Sequence, residues 1–344
     1  MKFALPARLL RAVAAVGCSA GLLASCGGGT SHYDSFVPTR LIVFGDEYSA
    51  LVDPSNGGNS YNYAMNGLNI TDTTNATVAC NDNTRYIWVQ RLASHYQLTF
   101  KECNPSNLAS SRLNALMQAQ YGATERAVEA QVSAFQGDIG HDALNGNDLV
   151  TVWVGMNDVI EIYKDSVTYS SSTDKTNEAT ARGEKLGRLI NAITDTGARV
   201  LVAQVFEMGS TPWAKQQGSS EAKLMTSLSD AFNQGLRTVL LNDGSKIGLL
   251  TFNDTVANMV QYGNYETTET ACDDAHLADI DNATADVDGY LSGAASLSTC
   301  STATVPNDTA ATKNLWVDGI HLNAYIAHAT MGDLAVNRAT SNPF

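Results

Sequence analysis

The chain runs to 344 residues and carries 21 Lys and Arg against 35 Asp and Glu, a formal charge of −14. Phosphate binding is driven by Lys and Arg, so this acidic balance excludes nucleic acid as an expected partner. The length permits a second domain, but α/β domains often run this long as one unit, and one domain is expected.

The chain opens on a leader rather than on fold. Lys2, Arg8 and Arg11 form a basic start, Ala12 to Leu23 is an apolar core too short to span a bilayer, and Leu23-Ala24-Ser25-Cys26 follows at once. A small-residue site ending in Cys resembles a bacterial lipobox, in which the Cys becomes the lipidated first residue of the mature protein. The simpler alternative is an ordinary secretory signal cleaved nearby, with Cys26 incidental. The favoured reading is a lipoprotein signal peptide over 1–26 and a tether over 27–37, its flexible part being Gly27-Gly28-Gly29-Thr30-Ser31. It implies export and a membrane partner through a lipid on Cys26, and Gly27 after Cys26 favours the outer membrane. Loss of the leader's three cations takes the mature charge to −17. No later segment offers an uninterrupted apolar run long enough to cross a membrane.

Cys18 lies in the leader, which leaves Cys80, Cys103, Cys272 and Cys300 besides the anchor. In an oxidising compartment the pairing that needs least loop closure is Cys80 with Cys103 and Cys272 with Cys300. Free buried thiols are the alternative. No C-x-x-C or H-x-x-x-H spacing accompanies them, so no metal site is expected.

In the domain, 38–344, Leu41-Ile42-Val43-Phe44 is a buried-strand run that stops at Gly45-Asp46-Glu47-Tyr48-Ser49. Ligands of open α/β sheets bind at the carboxyl ends of strands, so that turn is where chemistry is expected. Asp53 to Asn83, rich in Asn, Gly, Ser, Thr and Asp, reads as a long surface loop. Arg85 to Tyr96 reads as a helix with Trp88 and Leu92 as core partners, and Leu98 to Lys101 as a short strand. A helix is expected after Ala119-Gln120-Tyr121-Gly122-Ala123-Thr124, with Ala127, Val128, Gln131, Val132 and Phe135 at near-helical spacing. Asp148 to Val154 is the second strong strand, ending at Gly155-Met156-Asn157-Asp158. A helix over Ala181–Thr196, a strand over Arg199–Phe206, a helix over Glu221–Leu241 and a strand over Ile247–Phe252 complete an alternation that indicates a parallel α/β sheet covered on both faces. Regularity fades from Asn253 to Asn314, which reads as a disulfide-pinned insertion. It holds six Asp between Asp273 and Asp288. Asp279, Asp281, Asp286 and Asp288 lack EF-hand spacing and read as a solvated acidic loop rather than a Ca²⁺ site. Trp316 to Asn323 then leads into a helix over Ala324–Val336.

Asp46, Asn157 and the Asp318/His321 pair thus sit in turns at three expected strand ends. Acyl transfer needs this set: an Asp orients a His, the His takes a proton from a nucleophile, and N–H groups hold the oxyanion. In four places the chain resembles the SGNH (GDSL-type) hydrolases, at Phe44-Gly45-Asp46, Gly122-Ala123-Thr124, Gly155-Met156-Asn157-Asp158 and Asp318-Gly319-Ile320-His321. The resemblance implies a flavodoxin-like three-layer α/β/α sandwich with a central parallel sheet, hydrolysis of small-molecule or polymeric carboxylic esters, and no cofactor. Residue by residue, it implies His321 as general base, Asp318 as its orienting acid, and the Gly122 N–H and Asn157 side chain as oxyanion donors. His328 reads as a packing residue, and His141 lies in a polar loop.

The departure is at the nucleophile. The family pattern Gly-Asp-Ser-Leu-Ser-Asp is met here by Gly45-Asp46-Glu47-Tyr48-Ser49-Ala50, and Met117 stands where the second block usually begins with Asn. Ser49 matches the pattern's second Ser and, two residues on, faces elsewhere. Glu47 should reach the oxyanion donors or His321 directly, which blocks ordinary serine catalysis and favours a protonated His321. The expectation is an ester hydrolase with Glu47 as carboxylate nucleophile or general base. The alternative is a catalytically silent surface lipoprotein that binds an acyl or acetylated glycan ligand.

Overall fold

The apolar runs expected as strands do become the centre of the molecule. The computed structural model describes residues 36–341 apart from 53–59, 69–76, 79, 81–82, 105, 139–142, 273–283, 292–299, 301–304 and 306–307. Cys26, the leader, the tether up to residue 35, His141, Asp279 and Asp281 lie outside these. Five parallel strands form the main sheet: β1 (Arg40–Gly45), β2 (Ala115–Met117), β3 (Asp148–Trp153), β4 (Arg199–Ala203) and β5 (Ile247–Leu250). Their order, β2-β1-β3-β4-β5, is the doubly wound flavodoxin order. Leu41 to Phe44 and Leu149 to Val152 are buried, as strands covered on both faces must be.

Helices α2 (Glu125–Gly137), α3 (Met156–Lys164), α4 (Ser172–Asp195) and α5 (Ser219–Val239) form one outer layer, and α1 (Trp88–His95), α6 (Phe252–Tyr262) and α7 (Ala329–Thr340) the other. The α4–α5 pair packs closely because Gly183 and Gly235 carry no Cβ; one added at either would lie 2.0 Å from a carbonyl oxygen of the facing helix. Among the described residues, no helix is long and apolar enough to cross a membrane.

Several boundaries differ from the sequence reading. Helix α4 begins nine residues before Ala181, because Ser171 and Asp174 cap it reciprocally: the Ser171 hydroxyl accepts from Asp174 N–H at 3.1 Å and the Asp174 carboxylate from Ser171 N–H at 3.2 Å. The edge strand is Ala115–Met117 rather than Leu98–Lys101, of which only Phe100 makes a bridge, to Ala115. The expected insertion is not irregular throughout: its first residues belong to α6, whose buried face is Phe252, Val256 and Met259. Within it β6 (Glu266–Thr270) pairs parallel with β7 (Asn314–Trp316), which starts at its last residue. The loop 53–83 is not all surface. Asn62, Ala64, Met65 and Asn66 are buried, and the Asn66 amide receives the Asn62 N–H at 3.0 Å. Asn62 and Asn66 serve an internal network, which composition could not distinguish from solvation. The disulfides are Cys80–Cys103 and Cys272–Cys300, the neighbour pairing.

Candidate active site

Strand β1 ends at Gly45, whose φ of +139° belongs to glycine and where a Cβ would lie 2.2 Å from the Trp153 carbonyl oxygen. The buried Gln131 amide holds this residue from α2, accepting from Gly45 N–H and donating to its C=O, both at 3.0 Å. The chain then turns: the Asp46 carboxylate accepts the Tyr48 N–H at 3.1 Å and its carbonyl the Ser49 N–H at 3.0 Å. Glu47 is thereby aimed across the carboxyl edge of β1, between the segments that follow β2 and β3. This is the topological switch point of the sheet.

The Glu47 carboxylate is 1% exposed, and its Oε2 accepts from Gly122 N–H at 2.8 Å and from the Asn157 side-chain amide at 2.9 Å. Both expected oxyanion donors are therefore turned on one carboxylate oxygen. The other oxygen, Oε1, lies 3.6 Å from His321 Nε2, an ion-pair contact too long for a direct hydrogen bond. Behind the ring, His321 Nδ1 meets Asp318 Oδ2 at 2.7 Å. Asp318 Oδ1 accepts the N–H groups of Ile320 and His321 at 2.9 and 2.6 Å, a closed turn that fixes the ring's direction.

Electrostatics follow from burial and charge. Burial works against a charged His321 but is overcome by Asp318 and then Glu47, which hold its pKa up to about 10. At neutral pH it is an imidazolium between two carboxylates. Asp318 is held below its ordinary value; burial opposes this, and the His321 charge and hydrogen bonds outweigh it. Asp46, fully buried and next to Glu47, is pushed well above the ordinary carboxylate range, by burial first and by the Glu47 charge second. Ser49 takes no part: its buried hydroxyl accepts the Trp88 indole N–H at 3.2 Å. His328 packs as expected, with the Trp88 backbone N–H at 3.4 Å on its Nδ1 and burial pushing it down to about 3, so it is neutral.

Supporting residues escaped the sequence reading because their signals are long-range. Asp158 accepts the Glu125 N–H at 2.9 Å and pairs with Arg182 at 3.0 Å, tying the start of α2 and the Gly122 turn to α4. Tyr48, where the family pattern has Leu, donates from its hydroxyl to the Ile320 carbonyl at 2.8 Å and lies 5.4 Å from the His321 ring. Tyr63 flanks the same ring at 6.4 Å. Residues of the insertion dock on the oxyanion turn: Leu291 N–H donates to the Gly122 carbonyl at 2.7 Å, and Thr124 N–H to the Gly289 carbonyl at 3.0 Å.

Fold and arrangement together define an SGNH-type α/β hydrolase domain. The family model described as GDSL-like Lipase/Acylhydrolase matches residues 41–334, and the chain belongs to this family of ester-bond hydrolases. No curated protein matches the chain. Similar solved structures include a phospholipase A1 from Streptomyces albidoflavus NA297, at 14% identity over 88% of this chain and 100% of that one with a TM-score of 0.42. An acetylxylan esterase from Geobacillus stearothermophilus is similar at 10% identity over 90% of this chain and 98% of that one, TM-score 0.40.

Proposed function

We propose that this protein is an ester hydrolase of the bacterial cell envelope, tethered by a lipid on Cys26, in which Glu47 replaces the nucleophilic serine and His321 enters the cycle already protonated. One observation carries the reading: a single carboxylate touches both oxyanion donors and an Asp-oriented imidazolium within an otherwise complete acyl-transfer site. A serine needs its proton removed, and a carboxylate does not. The His is therefore free to act first as an acid.

The cycle begins when Glu47 swings off the two donors and the substrate carbonyl oxygen takes its place. A Glu47 oxygen bonds to the carbonyl carbon, the C–O bond to the alcohol breaks, and the His321 Nε2 proton goes to the departing alkoxide. The product is an acyl-Glu47 anhydride with neutral His321. Water then gives one proton to His321 Nε2 while its oxygen attacks the acyl carbon. This releases the carboxylic acid and restores the Glu47 carboxylate and the imidazolium.

The second reading, a silent binding protein, draws on the same contact: resting Glu47 already fills the oxyanion site, as a bound carboxylate product would. The two are separated with a short-chain aryl ester and the purified mature domain. The hydrolase reading expects turnover that Glu47→Gln and His321→Ala abolish, and an acyl adduct on the Glu47 peptide after acid quench. An inert wild type, with Glu47→Ser gaining His321-dependent turnover, would establish the silent reading. Maturation insensitive to globomycin would remove the Cys26 anchor.

A further inference from the structure

We propose that the alcohol half of the substrate is a sugar ring, received on a ladder of three tyrosines, Tyr63, Tyr61 and Tyr121, beside His321; this rests on the hydrolase reading above. Position follows from the mechanism. The atom that protonates the leaving oxygen is His321 Nε2, so the alcohol lies against His321, while the acyl oxygen lies on Gly122 and Asn157. Two tyrosines flank the His321 ring. Tyr48 is on the core side, 2% exposed, with its hydroxyl bound to the Ile320 carbonyl. Tyr63 is half-buried, its ring plane within 27° of the imidazole at 6.4 Å between centroids. Of the two flanking tyrosines, Tyr63 is therefore the one that solvent reaches.

Tyr63 does not stand alone. Tyr61 meets it edge-on at 5.6 Å, and Tyr121, the residue before the Gly122 donor, lies 5.0 Å from it with its ring tilted by 39°. All three rings are half-buried. Tyr63 is fixed from its neighbours: Asn62 N–H and Ala64 N–H are bound by the Asn66 and Asn62 side chains, each at 3.0 Å. Burial, then neighbouring tyrosine and acidic groups including Glu47, raise the phenols of Tyr63 and Tyr121, so both keep their protons as neutral donors.

An apolar face rimmed by hydroxyl donors matches a pyranose, which offers C–H groups on its face and hydroxyls at its edge. An anionic alcohol such as a phosphoglyceride headgroup would meet Glu47 and Asp318 in a chain of charge −14.

The test uses the mature domain and compares glucose pentaacetate, ethyl acetate and 4-nitrophenyl acetate, alongside saturation-transfer NMR with unesterified methyl β-glucoside. The expectation is that Tyr63→Ala lowers kcat/KM for the sugar acetate by roughly 10- to 100-fold, the scale of one lost ring stack. Ethyl acetate should change less than about threefold, Tyr63→Phe should keep most of the sugar activity, and magnetisation transfer to the glucoside C–H groups should vanish in Tyr63→Ala. Equal loss on the sugar and ethyl esters would overturn the ladder as a recognition surface. Tyr63-dependent preference for the aryl ester over the sugar ester would overturn the sugar assignment. Ethyl acetate turnover without transfer to the glucoside defeats the ladder and spares the hydrolase; transfer without any turnover does the reverse.

Discussion

Replacing Glu47 by Gln removes one charge and keeps the shape of the side chain. The amide oxygen can still accept from Gly122 N–H and Asn157, so the 2.8 and 2.9 Å contacts survive. What disappears is the charge 3.6 Å from His321 Nε2, worth about 4–5 kcal/mol by Coulomb's law at an effective dielectric constant of about 20. At ~1.4 kcal/mol per tenfold, that is about three powers of ten in the proton affinity of the imidazole. The Gln amide N–H also faces Nε2 and favours its neutral form, with Nδ1–H kept on Asp318. In the wild type, where His321 is held up to about 10 against an ordinary 6.5, its contribution to stability is complete below pH 6.5 and is lost as pH rises toward 10. In Glu47→Gln that loss begins at lower pH. An NMR titration of the His321 ring, paired with urea unfolding across pH, measures both. Identical His321 midpoints in the two proteins would refute the ion pair. A wild-type midpoint near 6.5 would refute the whole charge assignment.

Three further outcomes follow from the same geometry. Glu47→Ser inverts the pH profile of ester turnover: wild-type activity falls as His321 loses its proton at high pH, whereas a serine nucleophile requires neutral His321 and gains activity there, which pH–rate measurements will read. Asn157→Ala removes one oxyanion donor and lowers kcat by about 10²–10³ with the fold intact, as judged by circular dichroism and steady-state kinetics. Arg182→Ala leaves Asp158, whose side chain is 0% exposed, without its cation and costs roughly 3–5 kcal/mol in urea denaturation.

The sheet was legible because parallel strands buried on both faces must be continuously apolar: Leu41–Phe44, Asp148–Val154 and Arg199–Phe206 announce themselves. The short edge strand Ala115–Met117 does not, since three residues between Asn114 and Gln118 carry no periodicity. Site residues were legible only where resemblance reached them. Resemblance placed Gly122, Asn157, Asp318 and His321 around one point, and side-chain length placed Glu47 among them. Tyr63 was hidden in a polar stretch read as loop. Its importance comes from folding back across His321, a contact spanning most of the chain that local composition does not encode. Gln131 was read simply as part of a helix face, although its amide clasps the end of β1.

Gly122 is engaged through both of its backbone polar groups: its N–H points to Glu47 and its C=O receives Leu291, which lies inside the loop closed by Cys272–Cys300. With φ at +74° and a Cβ clashing with the Leu291 carbonyl at 2.1 Å, no other residue fits this meeting point. The residue whose N–H faces Glu47 is thus held through its carbonyl by a segment that lies between two bridged cysteines.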